Sequence, residues 1–392
     1  MTSPTSSPVR ADTAERRCDW HVVVDSLAED NASAVLNVAR GLQRAAVDVG
    51  VPAYLAVGAE QTNGRADREG VLCPRPGGRA RAVADAASKW LRGTSLGWRE
   101  VADVSAACSR PTHVFLHNQP WLAGAFRRQL PDATIHLYAH NVLLSHVPRA
   151  TVRRVLREID GFVGVSRFVA DDFAARSGIE PERLHVVHNA VDADAFIAPG
   201  SAAEAHTDVV FLGRMVPEKG AHVLVDALTV LDRRGIRLRA RIAGAQRFAE
   251  PGRSGAYERA LRRTVADRGL DVEFVGCLPP RDVPRFMNGA RIVVVPSVWR
   301  EPLGLVALEA LASEAALICT RSGGMPEIVG TGALLVDPGD ATALAGAIAR
   351  LHTDEHHRGA LAARGRAEAR IRTWARAYDE LLKIGARPGQ PA

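Results

Sequence analysis

The sequence predicts an α/β protein built from two Rossmann-like domains. Short apolar, β-branched runs alternate with helical stretches along the 392-residue chain. Such alternation is typical of parallel sheets that are covered by helices on both faces. The pattern occurs twice, and a chain of this length exceeds what one ordinary hydrophobic core organises. Ligands of such folds bind beyond the carboxyl ends of the strands, so we expect a cleft that the two domains face.

Twelve runs have the length and composition of buried strands, and the segments between them repeat apolar residues at helical spacing. In the first half the predicted strands are His21–Asp25, Ala53–Val57, His113–His117, Thr134–Tyr138, Phe162–Val165 and Leu184–His188. In the second half they are Asp208–Gly213, Leu238–Ala243, Val272–Val275, Ile292–Pro296, Ala316–Cys319 and Ala333–Val336. Helices are predicted over Ala32–Val47 and Gly220–Arg233, among others.

The division into domains follows from the segments that lack periodicity. Residues 1–17 are rich in Ser, Thr, Pro and Arg and have no apolar signal region, which predicts a disordered tail. The stretch Val191–His206 is small and polar, so we place a first domain at 18–195 and a second at 196–372. Helical sequence beyond the second domain, over Ala341–Leu351 and Ala360–Ile384, predicts a final helix within 373–392 that crosses back to the first domain.

Composition excludes several classes of protein. The net charge of +6 comes from arginines interspersed with acidic residues, without the aromatic pattern of a nucleic-acid interface. No apolar run approaches the roughly 20 residues that cross a bilayer, so stable membrane insertion is not expected. The five cysteines are scattered without a C-x-x-C pair, which favours reduced thiols in a cytoplasmic protein.

The strongest candidate site is the segment VVFLGRMVPEKG over residues 209–220. A strand ends at Gly213, a loop carries Arg214, and Lys219 lies where the next helix opens. Backbone N–H groups at a helix start and two cations on one loop form an anion site that suits a diphosphate. Lys219 is one of three lysines in the chain, in a composition that otherwise uses arginine.

A second segment, PSVWREPLGLVALEAL, contains two glutamates separated by seven residues. Glu301 precedes a helix that we expect to begin near Leu303, and Glu309 lies about two turns down that helix. A carboxylate accepts two hydrogen bonds from a diol, so one glutamate can bind sugar hydroxyls and the other ribose hydroxyls.

The motifs GRMVPEKG, VGCLP, REPLGLVALEAL and SGGMPEIV, in this order, resemble family 4 of the retaining glycosyltransferases. The resemblance covers the C-terminal half and implies a GT-B fold whose second domain holds a nucleotide sugar. It implies that Arg214 and Lys219 neutralise the diphosphate, Glu309 binds ribose and Glu301 the transferred sugar. The full set of implied donor residues is Gly213, Arg214, Lys219, Gly276, Cys277, Leu278, Glu301, Leu303, Gly304, Leu305 and Glu309. Leu303 departs from the family, which usually has Phe there.

The N-terminal half resembles the family more loosely. His140, in the strand-end sequence YAHN, matches a histidine that faces the donor sugar, and we assign it a catalytic role with Arg214, Lys219 and Glu301. The loop after the first strand lacks the family's Gly-Gly pair and carries carboxylates that would attract a cationic acceptor. The predicted acceptor-binding residues are Asp25, Glu29, Asp30, Asn31, His117 and Asn141.

No metal or cofactor is predicted. Asp192 and Asp194 form a D-x-D motif, but they lie in the linker. The segment around Gly330 lacks the third glycine of a dinucleotide fingerprint. A nucleoside-diphosphate sugar, with UDP preferred, is expected as a co-substrate.

We therefore expect a retaining, metal-independent glycosyltransferase that acts on a small hydroxylated acceptor, with aminocyclitol or aminoglycoside acceptors as a lead toward antibiotic biosynthesis. Three alternatives stay open. They are a nucleotide-sugar 2-epimerase, a membrane-surface lipid mannosyltransferase using the basic helix Arg149–Ile159, and a noncatalytic nucleotide-binding partner subunit. The acceptor, the donor base and the oligomeric state do not follow from the sequence.

Overall fold

The computed structural model describes residues 17–23, 34–59, 70–74, 110–196, 207–245 and 255–384, with 57–59 and 70–74 described by their backbone only. The chain divides into two compact units. The first comprises Met1–His188 and Trp374–Ala392, and the second Asn189–Thr373. Residues 189–196 belong to the second unit because Val191 N–H bonds to the Arg372 carbonyl and the Asn288 amide donates to the Phe196 carbonyl.

The first unit contains, in the described part of the chain, one sheet of seven parallel strands in the order β3-β2-β1-β4-β5-β6-β7. The strands are β1 Asp19–Val23, β2 Ala53–Ala59, β3 Gly70–Pro74, β4 His113–His117, β5 Thr134–Ala139, β6 Gly161–Gly164 and β7 Leu184–Val186. β3 was not predicted, because a five-residue run bounded by glycine and proline has the composition of a turn. The helices of this unit are α1 Ala34–Asp48, α2 Ala123–Gln129, α3 Arg149–Glu158 and α4 Arg167–Ser177.

The second unit contains, over the residues described, a sheet of six parallel strands in the order β10-β9-β8-β11-β12-β13. The strands are β8 Thr207–Leu212, β9 Ala240–Ala243, β10 Val272–Gly276, β11 Ala290–Val295, β12 Ala316–Thr320 and β13 Ala333–Val336. All six were predicted. β11 (ARIVVV) is buried almost throughout, as a β-branched run covered on both faces should be.

Helices cover this second sheet. They are α5 Ala221–Arg233, α6 Ala256–Asp267, α7 Val283–Asn288, α8 Leu305–Ala312, α9 Met325–Val329, α10 Ala341–Thr353 and α11 Glu355–Arg370. The side chains of Asp340 and Asp354 cap α10 and α11 by accepting backbone N–H bonds. None of the described helices is both long and apolar enough to cross a bilayer.

The final helix, α12 Trp374–Leu382, packs on α1 of the first unit, which confirms the predicted return to that domain. Gly41 makes room for the Trp374 ring, since a Cβ at Gly41 would lie 2.4 Å from it. The helix predicted over 360–384 is divided into α11 and α12, because the chain leaves helical geometry at 371–373. There the Arg372 guanidinium donates to the Glu368 carbonyl at 2.6 Å.

A buried polar cluster attaches α12 to β1. The Tyr378 hydroxyl donates to Asp19 Oδ2 at 2.6 Å, and Arg17 Nε donates to Asp19 Oδ1 at 2.8 Å. Arg17 also reaches the Leu381 carbonyl. Arg17 is 8% exposed, so the structure moves this residue from the predicted tail into the first unit, where its charge is paired with a fully buried carboxylate. Residues 1–16 lie outside the described residues.

Replacing Tyr378 by Phe should destabilise the protein by about 2 kcal/mol, because the buried Asp19 Oδ2 then loses its donor. Tyr54→Phe is the matched control, since the Tyr54 hydroxyl bonds to no described residue, and it should change the stability by less than about 0.5 kcal/mol. Urea unfolding followed by circular dichroism measures both. Equal midpoints for the two variants would contradict a stabilising role for this cluster.

Candidate functional site

The predicted donor residues of the second unit lie at one edge of its sheet. β8, β11 and β12 are parallel neighbours, so their carboxyl ends lie at the same edge. The loops that follow these strands carry Lys219, Glu301 and Gly323. The topology therefore brings three motifs that are far apart in the sequence to one place.

Lys219 and Glu301 form an ion pair at this edge. Lys219 Nζ lies 2.6 Å from Glu301 Oε1, and the Ser297 hydroxyl donates to the same oxygen at 2.6 Å. Glu301 is 4% exposed, whereas the Lys219 side chain is 22% exposed. A buried charge is tolerated when it is paired and hydrogen-bonded, as this carboxylate is. The pair leaves Glu301 Oε2 outside these bonds and fixes both side chains before any ligand arrives.

Sequence reasoning missed two members of this cluster. Ser297 lies four residues before Glu301 in a loop, where spacing gives no structural signal. Trp299 places its ring 5.5 Å from Lys219 Nζ, which is a cation–π contact. Its indole Nε1 is enclosed and, within the described part of the chain, has no hydrogen-bond partner. The ion pair is therefore held by a hydroxyl on the carboxylate side and an aromatic face on the ammonium side.

The SGGM motif supports Glu301 through the backbone. Gly324 N–H donates to the Glu301 carbonyl at 2.8 Å, and the Ser322 hydroxyl donates to the Trp299 carbonyl at 2.6 Å. Gly323 has a φ of 56°, and a Cβ there would lie 1.9 Å from the Glu301 carbonyl oxygen. Only glycine permits this approach, so the motif glycine positions a carboxylate that lies 22 residues earlier in the chain.

A second backbone contact joins the Lys219 loop to the Glu301 loop. Gly220 has a φ of 75°, and a Cβ there would lie 1.9 Å from the Pro296 carbonyl oxygen. Val298 N–H also donates to the Glu218 carbonyl at 2.9 Å. The glycine after Lys219 thus sets the separation of the two loops that carry the ion pair.

Gly213 and Arg214 directly follow β8. A Cβ on Gly244, whose φ is 136°, would lie 1.8 Å from the Gly213 carbonyl oxygen, so the β8 and β9 ends are in close contact. Arg214 is exposed, and within the described residues its guanidinium has no ion pair or hydrogen bond. Of the two predicted phosphate cations, Arg214 is therefore open and Lys219 is already paired.

Helix α8 begins at Leu305, two residues later than predicted. Leu303 is buried, and Gly304 occupies the N-cap position with a φ of 95° and no side-chain cap. The backbone N–H groups of the first turn are therefore uncapped by any side chain, as an anion-binding helix start requires.

Glu309 lies one turn down α8, not two, because the helix starts later than the sequence suggested. Its side chain is half-buried, and within the described part of the molecule its carboxyl group forms no hydrogen bond or ion pair. Burial raises the pKa of Glu309 to about 7. The group is thus an open, poorly hydrated acceptor.

The remaining predicted donor residues follow β10. Gly276 has a φ of 84°, lies at a shift of register against β9, and accepts a bond from Gly244 N–H at 2.7 Å. Cys277 is an exposed free thiol and Leu278 is half-buried. The D-x-D carboxylate of Asp192 accepts a bond from Ala195 N–H at 3.3 Å, as a turn residue does.

In the first unit, three histidines form a chain of hydrogen bonds, which we call the imidazole chain: His21, His117 and His140. His21 Nδ1 lies 2.9 Å from His117 Nε2, and His117 Nδ1 lies 2.7 Å from His140 Nε2. The His117 and His140 rings stack on Tyr138 at centroid distances of 4.8 and 4.9 Å. Strand pairing creates the chain, because β1 and β5 both lie beside β4.

Burial lowers the pKa of each member of the imidazole chain. The pKa of His21 falls to about 4 and that of His140 to about 3, and the pKa of His117 lies well below its ordinary value. Neighbouring imidazoles lower the pKa values of His117 and His140 further. All three rings are therefore neutral at pH 7.

The structure corrects the position expected for His117. This ring is fully buried and both of its nitrogens are occupied, so it lies behind His140 and presents no free nitrogen to an acceptor. His140 is 8% exposed, and Asn141 is exposed. The other predicted acceptor residues, Asp25, Glu29, Asp30 and Asn31, lie outside the described residues. His21 was not singled out from the sequence, because its link to His117 depends on strand register.

The fold is shared with solved glycosyltransferases of the GT-B class. The structure of Anabaena HepE in complex with UDP and glucose superposes with a TM-score of 0.71, over 93% of this chain and 98% of that chain, at 18% identity. The likeness places this chain in the GT-B fold class.

Sequence comparison identifies the family. A model described as Glycosyl transferases group 1 matches residues 192–368, and one described as Glycosyltransferase Family 4 matches residues 32–195. The D-inositol 3-phosphate glycosyltransferase of Corynebacterium glutamicum is 30% identical over 308 residues, covering 70% of this chain and 72% of the relative. The putative glycosyltransferase YtcC of Bacillus subtilis is 27% identical over 264 residues, covering 62% of this chain and 64% of that relative. The chain belongs to the group 1, family 4 glycosyltransferases.

Glu309→Gln should stabilise the ligand-free protein at pH 8 by an amount of the order of 1–3 kcal/mol. A carboxyl group whose folded pKa is raised to about 7 costs nothing below its unfolded pKa. The cost develops as the pH rises from about 4.5 to 7 and stays constant above that range. Unfolding at pH 4 and pH 8 measures this difference, with Glu355→Gln, at an exposed glutamate, as control. An equal effect of Glu309→Gln at both pH values would refute it.

Gly323→Ala should weaken binding of the nucleotide sugar at least tenfold, because the added Cβ displaces the backbone of Glu301, the residue predicted to bind the transferred sugar. Gly339→Ala is the matched control, since Gly339 has a φ of 81° with nothing within 4 Å of its Cβ. Both variants carry the strain of a left-handed residue, about 1–2 kcal/mol. Calorimetric titration with UDP-glucose distinguishes them, since UDP alone lacks the sugar that Glu301 is predicted to bind. If both retain the affinity of the wild type, Gly323 does not position the site.

Proposed function

We propose that the protein is a retaining glycosyltransferase that moves a hexose or aminosugar from a nucleoside-diphosphate sugar to a small hydroxylated acceptor. The observation that carries the proposal is the Lys219–Glu301–Ser297 cluster at the sheet edge, beside the exposed Arg214 and the uncapped start of α8. It combines positive charge for phosphate with a fixed carboxylate for hydroxyl groups. Family membership supports this reading.

In this proposal the leaving diphosphate is stabilised by protein groups alone. Arg214 and Lys219 supply charge, and the first N–H groups of α8 supply a dipole that points at the phosphate. Glu301 Oε2 accepts a bond from a hydroxyl of the transferred sugar. Glu309 accepts bonds from the ribose diol, which restore to its carboxylate the hydrogen bonds that burial removed. No metal or cofactor takes part in the proposed reaction.

The proposed chemistry is a front-face substitution with retention. The bond from the anomeric carbon to the diphosphate oxygen breaks, and the acceptor oxygen forms its bond on the same face of the sugar. The proton of the acceptor hydroxyl passes to the leaving phosphate oxygen, so the charge of the products balances. Glu301 is held by Lys219 and Ser297, which supports a positioning role for it over that of a covalent nucleophile.

UDP is the proposed nucleotide of the donor. HepE, which has the same fold, was crystallised with UDP and glucose. The proposed acceptor is a cyclitol. The C. glutamicum relative is named for D-inositol 3-phosphate, an anionic cyclitol. The carboxylates at Asp25, Glu29 and Asp30 favour a cationic aminocyclitol or aminoglycoside for this chain, as in antibiotic biosynthesis. The scattered thiols favour a cytoplasmic location.

A second candidate is transfer to a lipid at a membrane surface. Helix α3 buries Thr151, Val152 and Val155 and exposes Arg153 and Arg157, so its outer face is basic. Such a face is attracted to anionic lipid. Flotation with vesicles containing phosphatidylinositol, compared with phosphatidylcholine vesicles, decides between a lipid and a dissolved acceptor.

Lys219→Ala should lower kcat for sugar transfer about 10²–10³-fold, the usual effect of removing one preorganised electrostatic donor. Lys219→Arg, which keeps the charge, should retain more activity than Lys219→Ala, and Lys383→Ala, at an exposed lysine, should match the wild type. UDP release is measured from UDP-sugars in EDTA, with inositol phosphates and aminocyclitols as acceptors.

Three outcomes would contradict parts of this proposal. Full activity of Lys219→Ala would remove the phosphate role of that residue. Conversion of the donor sugar without any acceptor would identify an epimerase. UDP binding without turnover on any acceptor, lipid acceptors included, would support a noncatalytic subunit.

A further inference from the structure

The two ends of the imidazole chain lie in different environments, and this difference determines where the protons of the three rings lie. His21 Nε2, at the inner end, is enclosed and has no hydrogen-bond partner among the described residues. His140 Nδ1, at the outer end, has no partner among the described residues and is not enclosed. Between these ends lie two N···N contacts of 2.9 and 2.7 Å, each with room for one proton.

A neutral imidazole carries one N–H and one lone pair, so only two arrangements satisfy both contacts. In the first arrangement each ring donates from Nδ1 toward the outer end, and His140 is left with its proton on Nδ1. In the second each ring donates from Nε2 toward the inner end, and His21 is left with its proton on Nε2. His117 must donate once and accept once in either case, so the tautomers of all three rings change together.

The inner end decides between the two arrangements. In the second one, the N–H of His21 Nε2 would be buried without an acceptor, and buried orphan N–H groups are costly and rare. The carboxylate of Asp19, two residues away on β1, accepts from Arg17 and Tyr378, and no hydrogen bond joins it to His21 Nε2. The first arrangement leaves only a lone pair of His21 in that place.

Backbone contacts fix the outer end. His140 N–H donates to Asn118 Oδ1 at 2.8 Å, and Asn118 N–H donates to the Tyr138 carbonyl at 2.8 Å. Asn118 has a φ of 57°, a conformation that asparagine tolerates better than most residues. The ring of His140 is therefore held by its main chain as well as by His117, and its orientation is set before a ligand binds.

We propose that His21 is a positioning residue which, through His117, holds His140 as an Nδ1–H donor directed at an oxygen of the bound substrate. Because no acceptor among the described residues lies beside His21 Nε2 on the buried strand, the imidazole chain places its free N–H on His140 Nδ1 at the strand end. This inference deepens the proposed function and rests on it for the identity of the substrate. The proton position itself does not depend on the reaction.

The first test is nitrogen-15 NMR of the imidazole rings in the ligand-free, full-length protein at pH 7.5. Protonated Nδ1 and unprotonated Nε2 are expected for all three rings in the wild type. In His21→Asp a carboxylate oxygen, which can only accept, takes the place of the Nδ1 donor, so His117 should donate from Nε2 and His140 should shift toward the Nε2–H tautomer. An Nε2–H tautomer of His140 in the wild type, or an unchanged spectrum of His140 in His21→Asp, would overturn the proposal.

The second test is kinetic. His21→Asp should lower kcat for sugar transfer by roughly 10–100-fold, as loss of a tautomer-fixing partner does elsewhere. UDP affinity should be unchanged, since the second unit carries the nucleotide residues. His21→Asn, which has the same shape but an amide that can donate from the place of Nδ1, should keep most of the rate. His185→Asp, at a half-buried histidine outside the imidazole chain, is the matched control for packing.

These readouts separate the two proposals. The predicted tautomers in a protein without transfer activity would leave the proton assignment standing and remove the proposed function. Activity with equal kcat values for His21→Asp and the wild type would remove the positioning role and leave the proposed function standing. A rate loss in His21→Asn as large as in His21→Asp would show that packing, not proton position, accounts for the effect.

Discussion

The pairing of Lys219 with Glu301 is the constraint on which the geometry of the second unit's sheet edge depends. A carboxylate that is 4% exposed needs compensation, and the ammonium group and the Ser297 hydroxyl provide it at 2.6 Å each. Because the partners come from loops after β8 and β11, the pair also fixes those loops relative to each other. Two glycines, Gly220 and Gly323, permit the backbone contacts that hold the pair in place. The segments around Lys219, Glu301 and Gly323, which are far apart in the sequence, thus form one local structure.

The same sheet edge carries one glutamate whose carboxylate is paired and one whose carboxyl group has no partner among the described residues. Glu301 is paired, whereas Glu309 is half-buried without a partner in the described residues, and its pKa is raised to about 7. Such a carboxyl group destabilises a folded protein increasingly as the pH rises from about 4.5 to 7, so stability alone would not select it. Under the proposed function the cost is offset when ribose hydroxyls donate to it. Groups that reduce stability and acquire partners on binding are common at functional sites.

The fold followed from the sequence, and the reasons for its few errors are physical. All six strands of the second unit were predicted, because buried parallel strands are continuous β-branched runs. β3 was missed because its ends are glycine and proline, and the start of α8 was misplaced because Gly304 delays the helix. The position of Lys219 before a helix could be predicted, because its motif follows a strand and precedes helical spacing. Ser297 and His21 could not, since their roles arise from contacts across strands whose register the sequence does not encode locally.

Arg214 and Lys219, the two predicted phosphate-binding cations, differ in whether their charge is already paired. Under the proposed function this difference gives them different roles. Arg214 is exposed and has no partner among the described residues, so an incoming diphosphate meets its full charge. Lys219 already shares its charge with Glu301, and moving it would unpair a buried carboxylate, which is unfavourable. Lys219 therefore gains little when the ground-state diphosphate binds. Its interaction with the diphosphate strengthens most when negative charge grows on the leaving oxygen. An interaction that strengthens only at that stage lowers the activation barrier without increasing the affinity for the substrate.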